Sequence, residues 1–328
     1  MNSLAIISSP LQLLSLGEYS YQTKKSNFII IVLYQNQKEL EQINSMCDIY
    51  NTQITYYIKG RRLIQYFELK KILKRYKAID NILLGNFFSE PHIYALDQIK
   101  YKDVIVLDDG MVVHKIPDYI NTDKNILKKS LFRTIALKAF GINIRFPKKI
   151  KLFTIFNIPP NESIELILNR MLFLNSKIGV LKPSNDVMVI GQPFVELNTL
   201  YQDVYINYLK KIVNIYKRDV LYFPSRKESI SNINSIVKIK GVKVIKSNLN
   251  IELYLIKKSF TPKVIVGFTS TALVTLNKLF NNNISRITIT SFKLQFLKNR
   301  FHGNFYEKIY EKFNEYGISS KSLNIEEK

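Results

Sequence analysis

A chain of 328 residues, 46% hydrophobic and 23% charged, has a globular composition long enough for about two domains, which excludes a disordered, collagenous or coiled-coil protein. Its single cysteine, Cys47, excludes a disulfide framework and a multi-cysteine metal site. Lys and Arg number 48 against 26 Asp and Glu, a formal net charge of +22 that suits an anionic partner: nucleic acid, a lipid surface or a charged substrate.

The first residues, Met1-Asn2-Ser3-Leu4-Ala5-Ile6-Ile7, lack the basic segment and the apolar length of a signal peptide. No apolar run approaches the ~20 residues of a membrane span. The expectation is a cytoplasmic protein, compatible with a peripheral place on the inner face of a membrane. Short β-branched runs at 4–7, 27–34, 53–57, 81–84 and 103–107 predict one set of strands. A second set follows at 187–191, 219–223, 242–245, 263–267 and 286–290. Unbroken apolar runs suit strands buried on both faces, as in parallel sheets. Residues 63–76 and 198–216 carry apolar side chains at helical spacing, and alternation of strand and helix predicts an α/β fold. The stretch 148–185, with Ile158-Pro159-Pro160-Asn161 and Lys182-Pro183-Ser184-Asn185, reads as the connection between two domains, 1–180 and 181–328. The polar tail 319–328 is expected to fray.

Ligands of open α/β sheets bind at the carboxyl ends of the strands, so the residues after each strand carry the functional signal. Ser8-Ser9-Pro10-Leu11-Gln12 offers hydroxyls and a Pro-led helix start. Taken alone, an ordinary strand–helix turn explains it better. Asp108-Asp109-Gly110 puts two carboxylates at a strand tip beside a glycine, which suits a general base and also a capped polar turn. Gly191-Gln192-Pro193 allows close backbone approach to a ligand, and a plain turn accounts for it equally well. Pro224-Ser225-Arg226-Lys227-Glu228-Ser229 gathers a hydroxyl and two cations, chemistry for a phosphate or for a solvated loop. Thr269-Ser270-Thr271 opens an apparent helix with three hydroxyls, more than capping needs. No GxGxxG, GxxxxGK[ST] or DxD occurs, and His92, His114 and His302 lack metal-ligand spacing, so each histidine reads as structural.

Taken in order, Ser8-Ser9-Pro10-Leu11-Gln12, Asp108-Asp109-Gly110, Gly191-Gln192-Pro193, Tyr222-Phe223-Pro224-Ser225-Arg226-Lys227-Glu228 and Ser270-Thr271 resemble the bacterial sialyltransferases. The nearest is glycosyltransferase family 52 of the streptococcal capsule type, with the polysialyltransferases beside it. The resemblance implies a GT-B fold, two Rossmann-like doubly wound parallel-sheet domains facing a central cleft, the first on the acceptor side and the second binding the CMP-sugar. It implies inverting, metal-independent transfer from CMP-Neu5Ac, with no cofactor, to a galactose hydroxyl in α2,3 linkage on a surface glycan such as a capsule or lipooligosaccharide. Asp108 is the implied base, with Asp109 as partner or alternative. Asp203, in the helix before the Pro224 motif, is a further candidate. Arg226 is the implied stabiliser of phosphate charge. The donor would be held by Ser9, Pro10, Gln12, Gly191, Gln192, Pro193, Pro224, Ser225, Arg226, Glu228, Thr269, Ser270 and Thr271. The chain departs from the family at Ser225, where a His is usual, which leaves a charged hydrogen bond to the phosphate to Arg226 or to another histidine such as His302.

Expected partners are CMP-sialic acid and a galactose-terminated acceptor, and a homodimer is compatible with this reading. Alternatives are a polysialyltransferase, a GT-B transferase of another nucleotide sugar, and a basic nucleic-acid-binding protein. The last is disfavoured: no RNP, KH or helix-turn-helix pattern stands out, the 20 Tyr and 20 Phe lie in core-like runs, and Lys- and Asn-rich coding explains part of the charge.

Overall fold

The computed structural model describes residues 3–120, 137, 139–142, 144–281, 287–298 and 303–323. The chain divides into two compact units, Met1–Phe173 and Leu174–Lys328. The division falls ahead of the boundary at 180 expected from Lys182-Pro183, because that dipeptide opens a strand.

Unit 1 is built on a parallel sheet of seven strands: β1 (Ser3–Ile7), β2 (Phe28–Tyr34), β3 (Tyr56–Lys59), β4 (Asn81–Leu84), β5 (Asp103–Leu107), β6 (Ile150–Thr154) and β7 (Ile164–Leu168). Their spatial order is β3-β2-β1-β4-β5-β6-β7. The central strand β1 is buried along its whole length, with Leu4, Ala5, Ile6 and Ile7 at 0% exposure. Burying side chains of that size stabilises the fold by roughly 1.5–3 kcal/mol each. The chain winds from β1 out to β3, then returns to β4 on the other side of β1. The loops after β1 and β4 therefore diverge, the arrangement that opens a ligand crevice.

Helix α1 (Pro10–Thr23) follows β1 directly. Ser9 caps it by accepting from the Gln12 N–H, and Pro10 pre-sets the first turn. The later helices are α2 (Gln37–Cys47), α3 (Arg62–Leu73) and α4 (Glu90–Leu96). After β5 a 3-10 turn, Gly110–Lys115, leads into α5 (Ile116–Ile120). The short α6 (Leu172–Lys177) spans the division between units.

Unit 2 carries a second parallel sheet: β8 (Lys182–Ile190), β9 (Val220–Phe223), β10 (Val242–Val244), β11 (Phe260–Gly267), β12 (Thr288–Phe292) and β13 (Ser319–Lys321), in the order β10-β9-β8-β11-β12-β13. Its helices are α7 (Gln202–Tyr216), α8 (Ile230–Val237), α9 (Ile251–Lys258), α10 (Ala272–Asn281) and α11 (Gly303–Glu315). The point of reversal lies between β8 and β11. The core packs Val187, Val189, Tyr205, Tyr208, Tyr222 and Phe268.

Two expectations need correction. The stretch read as an interdomain connection contains β6 and β7, which complete the first sheet. β7 escaped notice because it is an edge strand whose outer residues are exposed. Residues 319–321, expected to fray, pair with β12 in register Thr290 to Ser319. No helix among the described residues is long and apolar enough to cross a membrane.

Candidate active site

The first constellation lies at the carboxyl end of the unit 1 sheet. Asp108 and Asp109 leave β5 in succession and diverge. Asp108 is 4% exposed. Its backbone N–H donates to Ser15 Oγ at 3.0 Å. Its Oδ1 accepts from the Gly110 N–H at 3.0 Å. Its Oδ2 accepts from Thr154 Oγ1 and from the Ile155 N–H, both at 2.9 Å. Oδ2 thus ties the tip of β5 to the tip of β6, and Oδ1 holds the turn that follows β5. Asp109 is half-buried, and its Oδ1 accepts from Gln12 Nε2 at 2.7 Å.

Gln12 is 2% exposed, so it contacts Asp109 from beneath and does not line an open donor subsite. Its Oε1 accepts from the Ser8 N–H at 2.7 Å and from Ser8 Oγ at 3.2 Å. Ser8 Oγ in turn lies 3.3 Å from His92 Nε2. His92 is fully buried, and burial pushes its pKa down to about 3, so the ring is neutral. Its Nδ1 accepts from the Asn86 N–H at 3.2 Å, which assigns the ring proton to Nε2 and makes Nε2 the donor to Ser8 Oγ. Gly85 completes the arrangement, because a Cβ there would stand 2.3 Å from Gln12 Oε1.

The second constellation lies at the carboxyl ends of β8, β9 and β11 in unit 2. Gln192 bridges two strand tips: its Oε1 accepts from the Thr269 N–H at 2.7 Å and its Nε2 donates to Thr269 Oγ1 at 2.9 Å. The Gln192 N–H donates to Tyr205 Oη at 3.1 Å. Tyr205 and Tyr222 join through their hydroxyls at 2.8 Å, and Tyr222 Oη donates to Glu228 Oε1 at 2.5 Å. Glu228 Oε2 accepts from the Ser225 N–H at 2.6 Å. Burial raises the Glu228 carboxyl to about 8, although its bonds to Tyr222 and Ser225 pull the other way. Gly191 is required here, since a Cβ would lie 2.5 Å from Tyr222 Oη and 2.6 Å from Glu228 Oε2. Ser225 and Arg226 are half-buried on the loop above this network, and Ser270 and Thr271 are half-buried where α10 begins. Ser270 Oγ accepts from the Ala272 N–H at 3.3 Å.

The structure thus gathers Asp108, Asp109 and Gln12 at one strand end, and Gly191, Gln192, Pro224, Ser225, Glu228 and Thr269 at another. Ser9 is buried as the α1 cap and Pro10 as its first residue; neither is presented to a ligand. Pro193 is half-buried behind Gln192. Asp203 is exposed in the first turn of α7 and makes no hydrogen bond to the other expected residues. His114 stacks its ring edge against Phe156 at 5.0 Å between centroids, and His302 lies outside the described residues. No group of three or more His, Cys, Asp or Glu among the described residues is placed to hold a metal ion. Sequence reasoning read His92 as structural, included Tyr222 in a motif without assigning it a role, and missed Tyr205. Their strand-end neighbours were visible, but buried polar partners in an apolar run carry no local signature.

Two doubly wound parallel sheets, one in each unit, define the GT-B fold. The family model described as alpha-2,8-polysialyltransferase matches residues 3–290, and the chain belongs to that family. It is the relative that stands beside family 52 in the resemblance, and family 52 itself is not what matches. No curated protein sequence matches the chain. Among solved structures, a 2,6-sialyltransferase of Photobacterium sp. JT-ISH-224, in complex with CMP and lactose, has 10% identity and a TM-score of 0.54 over 98% of this chain and 78% of its own. The S. aureus MnaA–UDP structure has 9% identity and a TM-score of 0.57, with 96% and 87% covered. A putative UDP-N-acetylglucosamine 2-epimerase from Listeria monocytogenes has 9% identity and a TM-score of 0.55, with 95% and 88% covered. These likenesses concern the fold.

Proposed function

We propose that the chain transfers sialic acid from CMP-Neu5Ac to a sugar hydroxyl, with inversion and without a metal ion, and that Asp109 is the base. The observation that carries this reading is the half-buried Asp109 carboxylate, held by Gln12 at the tip of β5 in a member of a sialyltransferase family. Asp108, the base expected from the sequence, is displaced from the role because both its oxygens are engaged inside the fold. Asp109 takes the proton from the acceptor hydroxyl. The oxygen forms a bond to the anomeric carbon as the bond to CMP breaks on the opposite face, and the electron pair leaves with the phosphate. In unit 2, Arg226, Ser225 and Ser270 offer a cation and hydroxyls to that phosphate, and the N-terminal amides of α10 add partial positive charge. The Gln192–Thr269 clasp holds the adjoining loops for the cytidine.

Family membership favours a sialyl-terminated acceptor and an α2,8 bond over the galactose and α2,3 bond of the first expectation. A galactose acceptor remains the second reading, favoured by the lactose bound to the Photobacterium enzyme. The test incubates the protein and CMP-Neu5Ac, with EDTA, against lactose and against an α2,8-linked trisialic primer. The reading expects CMP release coupled to elongation of the trisialic primer. Transfer from UDP- or GDP-sugars with none from CMP-Neu5Ac would overturn it.

A further inference from the structure

We infer that His92, Ser8 and Gln12 form a buried relay that positions the carboxylate of Asp109, so that a histidine 84 residues along the chain from Ser8 sets the geometry of the base. The inference rests on Asp109 acting as the base.

A glutamine amide has two ends of nearly equal shape. If Nε2 faces Asp109 it donates to the carboxylate, and if Oε1 faces it the two oxygens repel. The choice is made on the far side of the amide. Oε1 meets two donors there, the N–H and the hydroxyl of Ser8. A serine hydroxyl has only one proton, and its direction is set by what donates to its oxygen. His92 Nε2–H does so, because Nδ1 is already occupied by the Asn86 N–H. A charged imidazolium would lose that acceptance at Nδ1, and burial keeps the ring neutral. The polarity therefore runs one way from the β4–α4 loop to the tip of β5: Asn86 N–H to His92, His92 to Ser8, Ser8 to Gln12, Gln12 to Asp109. Links polarised in one direction reinforce each other. The absent Cβ at Gly85 leaves the amide the room it occupies.

Asp109 and Ser8 are half-buried, whereas Gln12 and His92 are 2% and 0% exposed. They act through Asp109 and do not touch the sugars. A base displaced by about 1 Å costs on the order of 100-fold in rate while leaving donor binding intact. This sets the expected pattern: kcat falls and KM for CMP-Neu5Ac does not.

The experiment measures steady-state transfer from CMP-Neu5Ac to the trisialic primer or lactose for the full chain, with thermal unfolding alongside. Gln12→Glu keeps an oxygen toward Ser8 and replaces the donor toward Asp109 by a second oxygen. It is expected to lose about 100-fold in kcat, with KM for CMP-Neu5Ac changed less than about twofold. His92→Phe is expected to lose about tenfold, and His92→Gln, whose amide N–H reaches toward Ser8, to recover most of it. If His92→Phe does not fold, Ser8→Ala breaks the same link at a half-buried position and is expected to lower kcat alone. Folded Gln12→Glu and Ser8→Ala proteins with unchanged kcat would overturn the relay, as would a His92→Gln protein no faster than His92→Phe. Asp109→Asn is measured in parallel. A normal rate for it removes the base reading itself, whereas an inactive Asp109→Asn beside active relay variants removes only the relay.

Discussion

Thr154 Oγ1 donates to Asp108 Oδ2 at 2.9 Å, so that the end of β6 grips a carboxylate at the end of β5. With the Ile155 and Gly110 amides it leaves Asp108 no free face. Two adjacent aspartates at one strand tip thus separate into a buried fastener and a half-buried group that Gln12 holds.

The first prediction follows. Asp108→Ala strands three donors in a buried site and should cost about 3 kcal/mol of stability. Thr154→Val removes one of them and should cost about 1 kcal/mol. Chemical denaturation of both variants checks this. A destabilisation below about 0.5 kcal/mol for Asp108→Ala would contradict the structural assignment.

Glu228 gives a pH prediction. Its folded-state carboxyl is raised to about 8 from an ordinary 4.5, so the folded chain holds a proton that the unfolded chain releases. This contribution is complete below pH 4.5 and is lost as pH rises to 8, at up to about 1.4 kcal/mol per pH unit between them. Glu228→Gln mimics the protonated form and should flatten that slope. Denaturation midpoints from pH 5 to 9 for both proteins test it, and identical slopes would remove Glu228 as the source.

Much of this was legible beforehand, and the reasons for the rest are local. Central strands such as Asn81–Leu84 and Asp103–Leu107 stood out because burial on both faces forces an unbroken apolar run. The edge strand β7 leaves Glu165, Leu166 and Leu168 exposed and follows a Pro-Pro loop, and so read as a connection. Of the site, the strand-end motifs were visible as clusters of hydroxyls and carboxylates. Which of Asp108 and Asp109 faces inward was not, because that depends on Thr154 and Ile155, 46 and 47 residues onward. The pairing of Gln12 with Asp109, 97 residues apart, is likewise a product of the β1-to-β5 topology.

Gly191→Ala should fail in both packing and binding. The new methyl would press on Tyr222 Oη and Glu228 Oε2 at 2.5 and 2.6 Å, costing about 1–3 kcal/mol. The displaced Gln192 loop should also weaken CMP binding by about tenfold or more. Calorimetric titration with CMP and thermal unfolding report the two effects separately, and a variant with both unchanged would contradict the close approach.

Arg226 distinguishes phosphate recognition from loop structure. Arg226→Ala should weaken CMP binding by about tenfold, the scale of a charge-assisted hydrogen bond, and leave cytidine binding unaltered. Equal losses for both ligands would place Arg226 outside phosphate recognition.

The most direct measurement is the turnover of Asp109→Asn beside Asp108→Asn, with CMP-Neu5Ac as donor and CMP binding measured on the same samples. Asp109→Asn should bind CMP normally and lose about 1000-fold or more in kcat, because no proton acceptor remains. Asp108→Asn, where it folds, should retain most of its turnover. The reverse pattern, with Asp109→Asn active and a folded Asp108→Asn silent, would contradict the assignment of the base.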